Sequence, residues 1–393
     1  MPKRLSSRSG KVRKRKPPPN GMLAFAQTAS GMKRLLRSLE AYIPTKVFTS
    51  DQKVHGEVLQ LNPIQEHAKS AQASISRAKS VCYTRKSRTA RRIDFENTVN
   101  NHRHTHIILF PGNPGLIEFY RDLMRIIWEQ LPEEVCANST MHGLGLPGHD
   151  VRKLNDDRRF GIADHVQYAS SYLENVSPPV ETSNLVFIGH SYGSYLILRI
   201  LEANPDLRKR AYFMMLMPAI WYLQKCAGSV LTSMLTGVTR SITTKVAEFV
   251  TALLARSPRS LRSTMLGLSG NDSHASDVLQ SWIENGRRDL YNNITELLSH
   301  EVRDIQSPED HDFVESLGPR SYLYVVENGD KWCPPEALDA IKAAFGARLT
   351  THIESASTLS HAFVLKDAET ELVAEKLSNW ITEITEKNVT HEN

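Results

Sequence analysis

The sequence predicts an α/β protein in which helices flank a mostly parallel central sheet, with a helical cap inserted late in the chain. Three observations carry this. Apolar runs of strand length at 105–110, 185–188, 212–217 and 322–326 recur between stretches of helical periodicity. The first two open onto Gly-rich turns that lead at once into helix-forming sequence. Between 219 and 315 the alternation of strand and helix stops, as it does where a helical insertion interrupts a sheet. With 393 residues the chain can bury a sizeable core and still carry an insertion and a tail.

The chain opens on a strongly basic leader. Residues 1–92 hold 21 Lys and Arg against 4 Asp and Glu, so the remaining residues are acidic overall. The first twenty residues carry eight basic side chains, no acid and a Pro-Pro-Pro run, and they lack the apolar content to fold alone. From Met32 through Leu35, Leu36, Leu39 and Ile43 the apolar spacing is helical and one-sided. That segment fits a transit peptide, a helix lying on an anionic membrane surface, or the plainer case of a helix packed on the body or a floppy tail. The basic cluster Lys11–Lys16 carries no sequence-reading signal, and no specific nucleic-acid partner is expected. A second basic cluster, Arg85–Arg92, closes the leader and places a boundary near residue 93. The expected organisation is therefore a leader at 1–92, core at 93–218, cap at 219–315 and core again at 316–393.

In the core, Thr105–Phe110 reads as a strand opening onto Pro111-Gly112-Asn113-Pro114-Gly115. Leu116–Leu131 follows as a helix whose buried stripe is Phe119, Leu123, Ile126, Ile127 and Trp128. Such a loop can aim a backbone amide at a developing oxyanion. Asn113 fits that role, because Pro114 has no N–H to donate. A weak strand around Val135–Met141 and a turn-rich loop at 143–150 come next. There His149 and Asp150 read as shaping the loop. A helix near Ala163–Asn175 precedes the strand Leu185–Ile188.

That strand runs into Gly189-His190-Ser191-Tyr192-Gly193, a Gly-X-Ser-X-Gly turn between strand and helix. Side chains at Gly189 and Gly193 would collide with neighbouring backbone, and the turn exposes Ser191 as a nucleophile. The amide of Tyr192 is the second oxyanion donor. After the strand ending near Met217 no acid appears. The strand Tyr322–Val326 runs into a loop bearing Asp330, with Glu327 at the strand end as its rival. A weak strand at Arg348–Ile353 is followed by His361, preferred over His352, and a last helix spans Glu369–Ile384. The order Ser191, Asp330, His361 is that of the α/β-hydrolase fold. The chemistry it offers is ester cleavage through an acyl-enzyme, with no metal and no organic cofactor. Two alternatives stay open: acyl transfer to an alcohol or thiol on the same triad, and a scaffold that keeps the fold but does little chemistry.

Four cysteines lie far apart without a CxxC pair, which indicates neither a zinc site nor a disulfide framework. The cap opens on an apolar stretch, Ile220–Leu223 and then Val230, Leu231, Met234 and Leu235. Gln224 and Lys225 interrupt it, so it falls short of a membrane span. It suits a substrate pocket, a membrane-apposed surface or simple packing.

Taken together, Phe110–Gly115 with Phe119-Tyr120, Gly189–Gly193, Asp330-Lys331-Trp332-Cys333-Pro334 and Ser360–Val364 resemble the lipid droplet-associated hydrolase family. The resemblance covers about residues 105–385 and leaves the leader unmatched. It implies a serine hydrolase of lipid esters on lipid droplets or endoplasmic reticulum, with sterol esters or acylglycerols as substrates and the apolar start of the cap as the anchor. The glycines Gly112, Gly115, Gly189 and Gly193 are motif positions in it. The basic leader offers a mitochondrial destination as the alternative.

Overall fold

A computed structural model describes residues 80–82, 92–96, 104–151, 158–176, 183–225, 237–258, 272–286, 288–305 and 313–390. Among them, eight strands make one sheet. They are β1 (Ser80–Cys82), β2 (Arg92–Glu96), β3 (Thr105–Phe110), β4 (Ser139–Leu144), β5 (Asn184–His190), β6 (Ala211–Leu216), β7 (Ser321–Val326) and β8 (Thr350–Glu354). Their order across the sheet is β1-β2-β4-β3-β5-β6-β7-β8. From β4 to β8 every neighbouring pair is parallel, while β1 pairs antiparallel with β2 and β2 with β4. The longer helices are α1 (Arg121–Gln130), α2 (Ile162–Leu173), α3 (Tyr192–Ala203), α4 (Gly237–Arg256), α5 (Ser273–Asn285), α6 (Arg288–Asp304), α7 (Pro335–Phe345) and α8 (Asp367–Thr390). All described residues fall within one unit, Ala41–Asn393.

The central strands read as unbroken apolar runs because both faces of a parallel sheet are covered by helices. Successive side chains point to opposite faces. Ile107, Leu109, Val186, Ile188, Met214 and Leu216 pack with Leu123 and Ile127 of α1 and Leu377 and Trp380 of α8. Ile108, Phe110, Phe187, Phe213, Met215 and Leu323 pack on the other face with Ile197 and Ile200 of α3 and Ile341 of α7. Between β6 and β7 the described residues hold α4, α5 and α6 and no strand.

Three expectations change. The stretch around Val135 is a short helix, Glu133–Ala137, and the strand begins only at Ser139. Val135 and Cys136 are buried because one side of that helix packs inward, where Cys136 Sγ donates to the carbonyl of Trp128 at 3.4 Å. The boundary at residue 93 is too late, since β1 and β2 already belong to the sheet. Ile93 and Phe95 alternate with charged residues at strand period in β2, a signal too short to stand out directly after the basic cluster Arg85–Arg92. The rest of the leader lies outside the described residues. Finally, Ile220, Trp221 and Leu223 are buried against the helical layer of the core and cannot anchor a membrane surface, whereas Val230–Leu235 lie outside the described residues.

Phe187 is fully buried at the centre of the sheet, whereas Ile353 on β8 is half exposed. Phe187→Ala should lower the unfolding free energy by about 3–5 kcal/mol, and Ile353→Ala by roughly 0.5 kcal/mol or less, in urea titrations. Equal effects would contradict this placement of the core.

Candidate active site

β3 and β5 are neighbours, with Phe110 in register with Gly189, so the loops leaving them start at one level. Ser191 caps β5 with φ 52 and ψ −120, a conformation that costs a side-chain-bearing residue about 1–3 kcal/mol. The turn persists because its backbone is held from several sides. Ser191 N–H donates to the carbonyl of Leu216 at 3.0 Å, and its own carbonyl accepts from Ser194 at 3.0 Å and Ala219 at 3.2 Å. A Cβ on Gly193 would lie 2.2 Å from the carbonyl oxygen of Phe110, and one on Gly189 would lie 2.6 Å from the amide of Ser194. No other residue fits either place.

β7 and β8 bring the remaining groups to the same end of the sheet. His361 Nε2 lies 3.0 Å from Ser191 Oγ, and its Nδ1 lies 2.9 Å from Asp330 Oδ2. The other carboxylate oxygen of Asp330 accepts the amides of Trp332 at 2.6 Å and Cys333 at 3.0 Å. Its own loop thus fixes one oxygen and frees the second for His361. Glu327 is exposed, and His352 pairs with Glu354 at 3.4 Å, so neither rival enters this chain.

The loop after β3 closes over Ser191. A Cβ on Gly112 would lie 2.9 Å from the Cβ of Ser191, which puts Asn113 directly beside the turn that carries Ser191. Gly115 N–H donates to Gly112 O at 2.7 Å to close the loop, and the Asn113–Pro114 peptide is cis. His149 Nδ1 holds the carbonyl of Pro114 from below, in keeping with a loop-shaping role. Tyr192 opens α3 immediately after Ser191, and its phenol meets His165 Nδ1 at 2.9 Å. The structure therefore brings Ser191, Asp330, His361, Asn113 and Tyr192 together with the four motif glycines. A groove of about 870 Å³, lined by Ile162, Val166, Tyr195, Arg199, Trp221 and Asp304 among others, holds none of these residues.

The family described as Lipid-droplet associated hydrolase matches residues 103–364. The chain belongs to this family. The lipid droplet-associated hydrolase of Gallus gallus is 24% identical over 291 residues, spanning 70% of this chain and 83% of the chicken protein. That of Homo sapiens is 23% identical over 259 residues, spanning 61% and 74%. Among solved structures, one from work on carboxylesterases of Nitrososphaera gargenis aligns with a TM-score of 0.50 at 12% identity, over 77% of this chain and 98% of that one. Parallel sheet and flanking helices together make this an α/β-hydrolase fold.

In this member of the family, two hydrogen-bond chains around the serine escape a reading of the sequence. The first runs through His190, which directly precedes Ser191 in the turn. His190 Nε2 lies 3.0 Å from the carbonyl of His361, which can only accept, so that nitrogen carries the proton. Nδ1 then accepts from Tyr120 Oη at 2.5 Å, and Tyr120 Oη accepts from the amide of Gly112 at 2.9 Å. Burial first, and His361 second, hold His190 well below its ordinary pKa, so it stays neutral. One neutral ring thereby ties the loop of His361 to the loop of Asn113. The second chain comes from the insertion: Asn113 Nδ2 donates to Glu301 Oε2 of α6 at 2.9 Å. Nothing in the sequence around Glu301 signals this, because its partner lies 188 residues away.

Two carboxyls of the site titrate in opposite directions. Burial pushes Asp330 up, but the facing His361 and the hydrogen bonds from His361, Trp332 and Cys333 outweigh that and hold it below its ordinary value. An ionised Asp330 makes His361 Nδ1 the donor and leaves Nε2 free to accept from Ser191. Burial raises Glu301 from 4.5 to about 7, with the Asn113 hydrogen bond opposing. The fold keeps the proton of Glu301 while the unfolded chain releases it, so stability should fall as pH rises from 4.5 to about 7 and level off above. Glu301→Gln keeps an acceptor for Asn113 and removes the proton. Its Tm should therefore gain on wild type as pH rises across that window; a constant difference between the two profiles would contradict the assignment.

Proposed function

We propose that this protein is a serine hydrolase that cleaves carboxylic esters of lipids, sterol esters or acylglycerols, at the surface of lipid droplets. The observation that carries the reading is the hydrogen-bonded chain from Ser191 Oγ through His361 to an ionised Asp330, at the strained turn after β5. Membership of a family described as lipid-droplet associated hydrolases supports the class of substrate and the location.

Ser191 Oγ attacks the ester carbonyl while His361 Nε2 takes its proton. Asp330 holds the ring in the required tautomer and stabilises the imidazolium. The amides of Asn113 and Tyr192 stabilise the oxyanion, each by about 3–4 kcal/mol on the scale of comparable donors. As the tetrahedral intermediate collapses, His361 returns the proton to the departing alkoxide. A water then repeats the sequence on the acyl-serine, releasing the carboxylic acid and restoring Ser191. The neutrality of His190 matters here, because its ring centroid stands 5.0 Å from that of His361. A second cation there would oppose the imidazolium.

A fluorophosphonate probe should label wild type at Ser191 and leave Ser191→Ala unlabelled. Asp330→Asn should label slower by orders of magnitude, on the order of 10⁴ where the same change misplaces the histidine proton. An unlabelled wild type, or a labelled Ser191→Ala, would overturn the reading.

A further inference from the structure

α4 is built inside out. Five of the six large exposed apolar side chains among the described residues lie on this one helix: Ile242, Val246, Phe249, Val250 and Leu253, between 40% and 69% exposed. At 100° per residue they fall within an arc of about 100° and run for about 17 Å. The opposite side, which faces the protein, carries Thr244 and Thr251, both buried, with Ala247 partly buried between them. Thr244 Oγ1 returns a hydrogen bond to the carbonyl of Arg240 at 3.0 Å and meets Thr295 of α6 at 3.1 Å, and Arg240 pairs with Glu296 of α6 at 2.8 Å. The polar contacts of α4 therefore point inward and its apolar stripe outward. That is the reverse of a surface helix facing water.

We infer that this stripe docks on the phospholipid surface of a lipid droplet. The inference rests on the proposed function and assigns the surface by which that site reaches its substrate. Charge agrees with it. Lys245 and Arg256, both exposed, flank one edge of the stripe, where long basic side chains reach phosphates while the apolar residues sink between acyl chains. Glu248, the one acid of α4, stands about 150° around the helix from the centre line of the stripe, where it does not oppose the phosphates. The helix is also linked to the site through its neighbour. α4 packs on α5, and at the start of α5 Asp272 N–H donates to Leu365 O at 3.1 Å while Asp272 Oδ2 accepts from Asp367 N–H at 2.5 Å. Both contacts belong to the segment that directly follows His361. No described helix is long and apolar enough to cross a membrane, and a stripe of this width suits lying on one instead.

The test uses the full chain, so the basic leader must be silenced as a second attachment. Flotation with triolein droplets coated in neutral phosphatidylcholine, at about 0.5 M salt, screens the leader's charges, and Leu35→Ser with Leu39→Ser in every sample removes its apolar stripe. Wild type should float. Phe249→Ser combined with Leu253→Ser should lower the partition coefficient by about tenfold or more, while Ile353→Ser, exposed but on β8, should leave it unchanged. Fluorophosphonate labelling in solution, read on the same samples, should be equal in all three. Partition of the double variant at the wild-type level overturns the docking surface whatever the labelling shows. So does a wild-type dimer that the double variant dissolves without a change in flotation, which would assign the stripe to a second copy. Loss of flotation confined to the double variant, with wild type and Ile353→Ser floating but all three equally unlabelled, would leave the docking surface standing and sink the hydrolase reading instead.

Discussion

The site depends on one residue held where it would not go unaided. Ser191 sits at φ 52 and ψ −120, and three main-chain hydrogen bonds from β6, α3 and the segment after β6 keep it there. The two glycines around it matter less as flexible links than as empty volume. Gly193 lets α3 start against the end of β3, and Gly189 lets β5 pass beneath the first turn of α3. The strain of about 1–3 kcal/mol is small beside the burial of β3, β5 and β6, whose side chains fill both faces of the sheet. Stability of the sheet and presentation of the serine are therefore one construction.

Around that turn, polar groups are arranged so that each has a single permitted role. The carbonyl of His361 and the amide of Gly112 fix the proton positions on His190 and Tyr120 without any choice of tautomer. The amides of Trp332 and Cys333 likewise commit one oxygen of Asp330 and orient the other. The loop of His361 is secured from its far side too, where the amide and hydroxyl of Ser360 both donate to the buried Glu369 of α8. The insertion takes part as well: α6 supplies Glu301 to Asn113, and the start of α5 clasps the segment after His361. Its outward face is apolar on α4. The segment between β6 and β7 thus touches the site on one side and presents a lipid-like surface on the other.

Much of this was legible in the sequence where the signal is local. A strand, a Gly-X-Ser-X-Gly turn and a helix form one contiguous pattern, and Asp330 stands in a loop marked by Gly329 and Pro334. The features that were not legible depend on distant partners or on main-chain pairing. β1 and β2 were passed over because the basic cluster ending at Arg92 drew them into the leader, although Ile93 and Phe95 alternate with charged residues at strand period, and Val135-Cys136 gave a strand signal from what is one buried side of a short helix. Ile220 and Trp221 read as an anchor because apolar composition alone does not distinguish an inward from an outward face. The stripe on α4 was missed for the same reason, since threonines and alanines opposite it give no hint of which side faces the protein. Glu301 looks like any acid of an amphipathic helix until Asn113 is seen above it.

The central claim is that Ser191 becomes acylated during turnover. Acid-quenched samples taken within the first turnovers of a p-nitrophenyl ester, digested and mapped by mass spectrometry, test it most directly. The account predicts the acyl mass on the peptide carrying Ser191, appearing as the first equivalent of p-nitrophenol is released. Release of p-nitrophenol with the acyl group found on a different residue, or turnover at the wild-type rate in Ser191→Ala, would contradict it.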